Sequence, residues 1–309
     1  MPVRRRVLVV VNPYATTVSD RLRTIVVAAL SDRYEVTAVD TQERDHATAL
    51  ARQAVGEGYD AVVAFGGDGT LNEVANGLAG STVPVTCLPG GSTNVFCRML
   101  GIPNDIVDAT EHLLALADHW RPRAIDLAWV NGRAFTFSAG IGLDASVVAR
   151  VDAHPRLKAR LGPYYFAWAG FSIFFRRYMA SPPRFSIALP DGRRIESVTA
   201  LIQNSDPYTY FKGREIHAAE GATLESGTLS GVALKRSTPT LMPSIVWRLL
   251  SKHAAVARSR GVDGFRDVVA LECVAADGAA IDIQVDGDYI GAHERAAFSI
   301  TPKGLRVVA

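Results

Sequence analysis

The sequence contains little that would indicate an oxidising compartment, a bound zinc ion or a nucleic-acid partner. Only three of its 309 residues are cysteine, and none belongs to a CxxC pair, so we expect reduced thiols and neither a disulfide framework nor a zinc finger. The 33 Lys and Arg residues barely exceed the 31 Asp and Glu residues, which does not indicate binding to nucleic acid. A hydrophobic content of 48% excludes an extended disordered chain.

Long hydrophobic runs are absent as well. The longest aromatic and apolar stretch, 164–175, has twelve residues, whereas a membrane-spanning helix needs about 20. The apolar run 7–11 ends at Asn12-Pro13 without a small-residue cleavage site, and we interpret it as a buried strand and not as a secretory signal. The sequence therefore predicts a cytoplasmic protein without a transmembrane segment, in which any contact with a membrane is peripheral.

Several catalytic motifs are missing too. No GxxxxGK[ST], HExxH or GxSxG motif occurs, and the seven histidines show no metal-ligand spacing. Residues 140–145 fit the loose dinucleotide motif GxGxxA, but we expect no helix with a suitably spaced acidic strand end after them. A dehydrogenase is therefore not expected.

The first part of the chain alternates between strand-like and helix-like segments. Such alternation is typical of βαβ units on a parallel sheet, and it predicts a three-layer α/β domain over 1–122. The predicted strands are 7–11, 34–39, 60–65 and 83–88, and the predicted helices are 20–30, 45–57 and 71–78, with further helical segments up to about 119.

After residue 123 the pattern changes to short alternating β segments, which predict an antiparallel, β-rich second domain over 123–296. Helical segments at 154–179 and 241–253 interrupt it, and residues 297–309 read as two short strands that could return to the first domain. The predicted strands are 125–130, 134–139, 184–189, 197–203, 229–234, 268–274 and 281–285.

A run of glycines follows the third predicted strand directly. The sequence Gly66-Gly67-Asp68-Gly69-Thr70 leads into a helix, which places main-chain N–H groups and the positive helix end where a phosphate can bind. A carboxylate there would repel the phosphate unless it holds Mg²⁺ or accepts a proton from the attacking hydroxyl, so Asp68 is the first candidate for catalysis. Thr70 and Glu73 predict a capping box for the helix.

A second glycine loop, 89–94, repeats this arrangement after the next strand. Because the carboxyl ends of neighbouring parallel strands face one crevice, both loops would meet the same ligand. Ser92, Thr93 and Asn94 would supply hydroxyl and amide contacts to phosphate or ribose, and Asn12-Pro13 would add a third loop at this edge. Arg98 fits a ligand-binding cation and a solvated surface residue equally well.

The stretch 158–179 is rich in aromatic residues and is bracketed by basic residues. This composition suits a helix at a lipid interface. Aromatic stripes on helices are more often part of a core, however, and on general grounds we favour the core.

These motifs resemble the catalytic-domain family of diacylglycerol kinases, sphingosine kinases and bacterial lipid kinases. The resemblance rests on Asn12-Pro13, 66–74 and 89–94 in this order, and it continues through 126–127, 142–145 and 286–288. The GGDGT element alone is shared with NAD kinases. Followed directly by LNEV and then by PGGSTN, it is specific.

The resemblance implies an NAD kinase-like N-terminal α/β nucleotide domain and a C-terminal β-rich, β-sandwich-like lipid domain, with ATP and Mg²⁺ bound between them. The implied reaction transfers the γ-phosphate of ATP to a lipid hydroxyl at a membrane surface, with diacylglycerol favoured as acceptor and phosphatidic acid as product. A homodimer is compatible with the resemblance, and no nucleic acid is expected as a partner. Asp68 and Asp288 would be catalytic, Asp68 would also contact Mg²⁺, and Asp144 and Lys158 would contact the lipid. The residues implied in nucleotide binding are Asn12, Pro13, Gly66, Gly67, Gly69, Thr70, Glu73, Gly91, Ser92, Thr93 and Asn94.

The chain also departs from the family pattern. Asp288 replaces the usual glutamate, Val95 replaces an aspartate, and Ser226 and Ser230 replace two carboxylates that help to hold Mg²⁺ in some bacterial members. Without the resemblance, Asp286-Gly287 would be interpreted as a β-turn. Two other functions therefore stay open: an NAD kinase-like enzyme with a soluble substrate, and a member that binds nucleotide or lipid without transferring phosphate.

Overall fold

A parallel β-sheet forms the centre of the N-terminal unit. The computed structural model describes residues 4–154, 157, 161–179, 182, 184–211, 213–251 and 255–309. One unit runs to Leu127 and includes Pro302–Ala309, and the other is Ala128–Thr301. In the first unit, four parallel strands are hydrogen-bonded in the order β2-β1-β3-β4. They are β1 (Arg6–Val11), β2 (Glu35–Asp40), β3 (Ala61–Gly66) and β4 (Val85–Pro89).

Helices connect these strands in the predicted alternation. They are α1 (Asp20–Ser31), α2 (His46–Gly56), α3 (Asp68–Leu78), α4 (Val95–Met99) and α5 (Ile106–Leu116). Ser19 caps α1 by accepting a hydrogen bond from the Leu22 amide, and Asp105 caps α5 in the same way. Gly77 lets α2 and α3 pack closely, because a Cβ there would lie 2.5 Å from the Thr48 carbonyl oxygen.

Helix α3 begins at Asp68 and not at Leu71, so the capping box predicted from Thr70 and Glu73 is wrong. Gly67 occupies the N-cap position with extended backbone angles, φ −89° and ψ −173°. The helix therefore starts as soon as β3 ends, and Thr70 already lies in its first turn.

The C-terminal unit is an antiparallel β-sandwich. One sheet has the order β14-β13-β10-β7-β16-β17; in the other, β15 pairs with β18 and β8, and β8 pairs with β9. Side chains from both sheets, among them Ile141, Phe185 and Phe298, share one buried core. The strands are β5 (Arg123–Val130), β6 (Arg133–Phe135), β7 (Ser138–Gly142), β8 (Phe185–Ala188), β9 (Arg194–Ser197), β10 (Thr199–Gln203), β11 (Thr209–Phe211), β12 (Arg214–Ile216), β13 (Leu229–Leu234), β14 (Val262–Val268), β15 (Ala270–Ala275), β16 (Ile281–Val285), β17 (Asp288–His293) and β18 (Arg295–Val307).

Helices border this sandwich: α6 (Leu143–Asp152), α7 (Pro163–Ile173) with a π-helical turn at Phe174–Tyr178, and α8 (Met242–Leu250). Helix α6 begins directly after the GxGxxA motif, but among the described residues the next strand, β8, begins only at Phe185, so the acidic strand end that a dinucleotide site needs about 20 residues further on is not in place. Strand β7 also pairs antiparallel with both β10 and β16. A Rossmann unit requires a parallel βαβ arrangement, so the structure excludes that interpretation of the motif.

The end of the chain lies in the N-terminal unit. Val307 pairs in parallel with Val85 of β4, and the Val308 amide donates to the Val85 carbonyl. Asp126, which is almost fully buried, accepts a hydrogen bond from the Lys303 amide at 2.9 Å. No helix among the described residues is both long and apolar enough to cross a membrane.

Candidate functional site

Three loops lie together at the carboxyl ends of β1, β3 and β4: the first loop (12–18), the second loop (66–70) and the third loop (89–94). Asn12 Nδ2 donates to Thr70 Oγ1 over 3.1 Å and joins the first loop to the second. The Gly90 amide donates to the Gly66 carbonyl over 2.8 Å, and the Thr17 amide donates to the Gly90 carbonyl over 3.0 Å. The predicted nucleotide-binding loops are thus connected at one edge of the sheet.

The glycines of the second and third loops allow two backbones to touch. A Cβ on Gly90 would lie 2.8 Å from the Gly66 Cα, and a Cβ on Gly91 would lie 2.9 Å from the Gly67 Cα. None of these four glycines has a positive φ. At Gly90 and Gly91, glycine is therefore required by close packing of the loops and not by an unusual backbone conformation.

Asp68 connects the second loop to helix α4. Its Oδ2 accepts a hydrogen bond from the Val95 amide at 3.0 Å, and its Oδ1 accepts one from the Phe96 amide at 3.1 Å. The carboxylate therefore occupies the N-terminal amides of α4, where an anion is favoured. The catalytic and Mg²⁺-binding roles of Asp68 stay predictions.

The third loop holds both internal and accessible polar groups. Asn94 is buried with φ +48°; its Oδ1 accepts from the Gly91 amide at 2.8 Å, and its Nδ2 donates to Asn104 Oδ1 at 2.9 Å. Asn94 thus closes the loop from within. The hydroxyls of Ser92 and Thr93 lie 3.5 Å apart nearer the surface, where a ligand could reach them.

Three other residues predicted to bind nucleotide, Glu73, Gly69 and Pro13, have different surroundings from one another. Glu73 Oε2 accepts a hydrogen bond from the Ala47 amide at the start of α2, at 3.1 Å, so its carboxylate serves that helix. Gly69 lies in the first turn of α3, whose N–H groups have no intrahelical partner. Pro13 is half-buried in the first loop beside Asn12.

The C-terminal unit contains an apolar cavity of about 890 Å³ that is partly open to the surface. Strands β10 and β13 and helices α6, α7 and α8 contribute to its lining, together with the π-helical turn. No Lys, Arg or His side chain of the described chain lines it. Its walls include Val147, Phe171, Leu201, Val232 and Leu249.

Asp144 provides a polar wall of this cavity. Its Oδ1 accepts a hydrogen bond from the Tyr208 hydroxyl at 2.6 Å, and its Oδ2 accepts one from Gln284 Nε2 at 2.7 Å. Burial raises the pKa of the Asp144 carboxyl above its ordinary value, against the lowering effect of these two hydrogen bonds. Sequence reasoning missed Tyr208 and Gln284, because both lie far from Asp144 in the chain and belong to no motif.

Asp286 and Gly287 form the turn between β16 and β17, as the β-turn interpretation predicted. Both residues have positive φ, +48° and +86°, which is typical of a two-residue Asp-Gly hairpin. Asp288 follows as the first residue of β17 and is half-buried. The general-base role of Asp288 stays a prediction.

The aromatic stretch is divided between core and surface. Tyr165 packs against Val151 of α6 in a small core, whereas Trp168 and Phe171 are 51% and 65% exposed. Trp247 of α8 is 61% exposed and lines the cavity. The core interpretation is therefore wrong for about half of these side chains, and Lys158 lies outside the described residues. A cluster of exposed aromatic side chains more often marks a binding surface than a surface without a partner.

The segment that departs from the family pattern carries no metal cluster. Ser226 Oγ donates to the carbonyls of Thr223 and Thr228, and Ser230 is fully buried in β13. In the part of the chain that the structure describes, no three His, Cys, Asp or Glu side chains are grouped so that they could hold a metal ion.

Comparison with known proteins shows to which family the N-terminal unit is similar. Residues 6–128 match the profile of the diacylglycerol kinase catalytic domain. The chain is also 34% identical over 142 residues to diacylglycerol kinases of Staphylococcus aureus strains JH9 and Newman, a match that covers 45% of this chain and 43% of each relative. The N-terminal unit belongs to the diacylglycerol kinase catalytic-domain family. The family predicted from the sequence is thereby confirmed.

The diacylglycerol kinase catalytic-domain match contains all three loops but none of the residues that line the cavity. The chain thus aligns with less than half the length of the curated relatives that it matches. A crystal structure of a diacylglycerol kinase from Bacillus anthracis str. Sterne covers 100% of this chain and 98% of its own, with a TM-score of 0.75 and 22% identity. Another from the same strain has a TM-score of 0.77. These two structures confirm the predicted fold of both units.

Proposed function

We propose that this chain is a lipid kinase that transfers the γ-phosphate of ATP to a lipid hydroxyl, with diacylglycerol as the favoured acceptor. The observation that carries the proposal is the apolar cavity of about 890 Å³ with the buried carboxylate of Asp144 in its wall. An apolar pocket with few polar groups suits a water-insoluble substrate whose head group needs orientation. A phosphorylated, soluble substrate such as NAD would instead require cations, and no cationic side chain of the described residues lines this cavity.

The three loops of the N-terminal unit would bind the ATP phosphates. The first turn of α3 offers main-chain N–H groups, and Ser92 and Thr93 offer hydroxyls. Mg²⁺ fits here with Asp68 and the phosphates as ligands, because it binds through one or two carboxylates and keeps its remaining positions for water and phosphate oxygens. When bound, Mg²⁺ would supply positive charge to the transferring phosphoryl group.

Asp288 would act as the general base. Both oxygens of Asp68 already accept main-chain hydrogen bonds, so we assign the proton transfer to Asp288. Its carboxylate would take the proton of the lipid hydroxyl while the hydroxyl oxygen forms a bond to the γ-phosphorus and the bond to the β-phosphate oxygen breaks, releasing ADP. The carboxylate of Asp144 would accept a hydrogen bond from the lipid head group.

The exposed aromatic residues near the cavity would contact the membrane that supplies the lipid. Phe171, Phe175 and Trp247 are both exposed and part of the cavity lining, and Arg176 is exposed on the adjoining π-helical turn. Aromatic groups insert at the bilayer interface, while arginines favour anionic head groups. The protein would therefore bind vesicles containing phosphatidylglycerol more tightly than phosphatidylcholine vesicles, and Trp247→Ser would weaken both interactions.

The test of the reaction is transfer of labelled γ-phosphate from Mg·ATP to diacylglycerol in mixed micelles, with NAD as the acceptor in a parallel assay. We expect labelled phosphatidic acid only, and we expect Asp288→Asn to lower kcat by about 100-fold or more with the KM for ATP unchanged. The matched control is Asp191→Asn at an exposed turn.

Other outcomes would decide among the alternatives. Labelling of NAD alone would establish the soluble-substrate kinase. Labelling of a sphingoid base, monoacylglycerol or phosphatidylglycerol in place of diacylglycerol would keep the lipid kinase and change its acceptor. ATP binding without transfer to any acceptor would indicate a member that has lost its chemistry.

A further inference from the structure

One glutamine side chain connects the polar wall of the cavity to the turn that precedes Asp288. Gln284 of β16 is 1% exposed. Its Nε2 donates to Asp144 Oδ2 at 2.7 Å, and its Oε1 accepts from the Gly287 amide at 2.8 Å. The two ends of one amide group thus contact the carboxylate in the cavity wall and the main chain next to the proposed base.

The other side of this turn is fixed by Asp286. The buried Asp286 carboxylate accepts hydrogen bonds from the amides of Thr136, Phe137 and Ser138 and from the Thr136 hydroxyl, at 2.7–3.1 Å. Asp286 holds the turn on the sheet, but none of these contacts reaches the cavity. The contact between the turn and the cavity wall runs through Gln284.

The GxGxxA motif provides the space for this contact. Gly140 lies opposite Gln284 in the β7–β16 pairing, and a Cβ on Gly140 would lie 1.9 Å from Asp144 Oδ2 and 2.7 Å from Gln284 Nε2. Gly142, with φ +80°, reverses the chain so that α6 begins at once and presents Asp144. The glycines that imitate a dinucleotide motif therefore make room for a hydrogen bond between a carboxylate and an amide.

We infer that Gln284 is a positioning residue, which holds the turn, and with it Asp288, in register with the lipid head group at Asp144. The inference rests on the proposed function. A general base works only when the reacting atoms approach to about 3–3.5 Å, and a displacement of about 1 Å can cost 100-fold in rate. Gln284 supplies this constraint with one buried side chain whose hydrogen bonds run to Asp144 and Gly287.

The first test replaces Gln284 by leucine, which keeps the size of the side chain and removes both hydrogen bonds. We expect kcat for lipid phosphorylation to fall by about 10- to 100-fold, while the KM for ATP stays within twofold of the wild-type value. The matched control is Gln203→Leu, because Gln203 is an equally buried glutamine of the same sheet, on strand β10, whose amide contacts Ser205 and Ala219. If the control lowers kcat as much as Gln284→Leu, the effect is one of stability and the inference fails.

The second test is Gln284→Glu, which restores both contacts only when the new carboxyl is protonated. The neutral acid donates to Asp144 and accepts from Gly287, whereas the ionised acid opposes the Asp144 carboxylate and favours sharing of one proton. We expect kcat relative to the wild type to be close to one near pH 5 and to decline toward pH 8, over about three pH units. A flat ratio would overturn the inference. The wild type is measured at each pH beside the variant, because other ionisable groups surround the pair: Tyr178, Tyr208, Asp282, Asp286, Asp288 and Tyr289, with Arg177 beside Asp282.

A measurement without turnover separates this inference from the proposed function. The Gly287 amide, which donates to Gln284, should exchange with solvent deuterium at least about tenfold faster in Gln284→Leu and at the control rate in Gln203→Leu. An inactive wild type would reject the proposed function by itself. Unchanged exchange at Gly287 would reject the inference even if the wild type is an active lipid kinase.

Discussion

The loops of the N-terminal unit and the cavity of the C-terminal unit are built by opposite means. Main-chain atoms make most of the contacts among the three loops, and the glycines there are needed because two backbones touch. The cavity is built from side chains of several helices and strands. Its polar contacts join Asp144 to Tyr208 and to Gln284, which lie 64 and 140 residues further along the chain. A site made of main chain leaves a motif in the sequence, whereas a site made of distant side chains does not.

The largest effect on the loops is expected from Asp68→Asn. The new amide nitrogen cannot accept a hydrogen bond, so either the Val95 or the Phe96 amide loses its partner, at a cost of about 1–3 kcal/mol of folding free energy. We expect phosphoryl transfer to fall by about 100-fold or more, together with the melting temperature.

The control is Asp60→Asn, since Asp60 also accepts from a main-chain amide, that of Arg6, but precedes β3 at the opposite end of the sheet from the loops. An unchanged melting temperature with lost transfer would show that Asp68 acts in the chemistry and is not needed to hold the loops.

The cavity is tested by filling it with Leu201→Trp. Leu201 is half-buried in β10 and lines the cavity, so a larger side chain takes up space without disturbing the loops. We expect the KM for the lipid to rise at least about tenfold, which corresponds to about 1.4 kcal/mol, and ATP binding by calorimetry to stay constant. Val107→Trp on the exposed surface of α5 should change neither quantity.

A smaller effect is expected when a methyl group separates the two glycine loops. In Gly90→Ala the new Cβ would lie 2.8 Å from the Gly66 Cα and 2.9 Å from Val18 Cγ2, so the loops must move apart. We expect the free energy of unfolding to drop by about 1–3 kcal/mol and ATP binding to weaken, as measured by denaturant titration and calorimetry. Gly56→Ala, where the Cβ meets open space at the end of α2, should instead stabilise the protein slightly.

The smallest effect concerns the buried carboxylate of the cavity. Burial raises the pKa of Asp144 in the folded protein, so the folded state binds more protons than the unfolded chain between the two pKa values. Ionised Asp144 therefore lowers stability progressively as the pH rises from about 4. We expect the melting temperature of Asp144→Asn to exceed that of the wild type by an amount that grows as the pH rises above about 4, and a constant or shrinking difference would contradict a raised pKa of the buried carboxyl.

The difference between loops made of main chain and a cavity made of distant side chains also explains which features could be predicted from the sequence. The order of strands and helices in the N-terminal unit follows from unbroken apolar runs and glycine loops, and the structure has it with shifts of a few residues. The start of α3 was predicted wrongly because Thr70 and Glu73 form a good capping pattern. In the structure Gly67, which directly follows β3, is the N-cap, so the helix begins before Thr70. Local capping preference was overridden by the packing of β3 against the third loop.

In the C-terminal unit the sequence analysis did not predict β9, β11, β12, β14 and β17: β11 and β12 have only three residues each, and charged residues or glycine interrupt the apolar positions of the other three. The roles of Tyr208 and Gln284 could not be found, because each depends on a strand pairing that brings it to Asp144. The exposure of Trp168 and Phe171 was equally hidden, since an aromatic stripe looks the same whether it faces a core or a membrane.

The return of the chain to β4 affects how the protein can be made. Strand β4 pairs with β3 on one side, and on the other side the contact at Val85 is supplied by Val307 and Val308, which are synthesised after the whole C-terminal unit. Until Val307 and Val308 have been synthesised, one apolar edge of the sheet in the N-terminal unit is therefore unpaired. An unpaired sheet edge favours aggregation. A shortened protein that stops after Leu127 would keep that open edge permanently, so the N-terminal unit should be expressed with 302–309 joined to it by a linker.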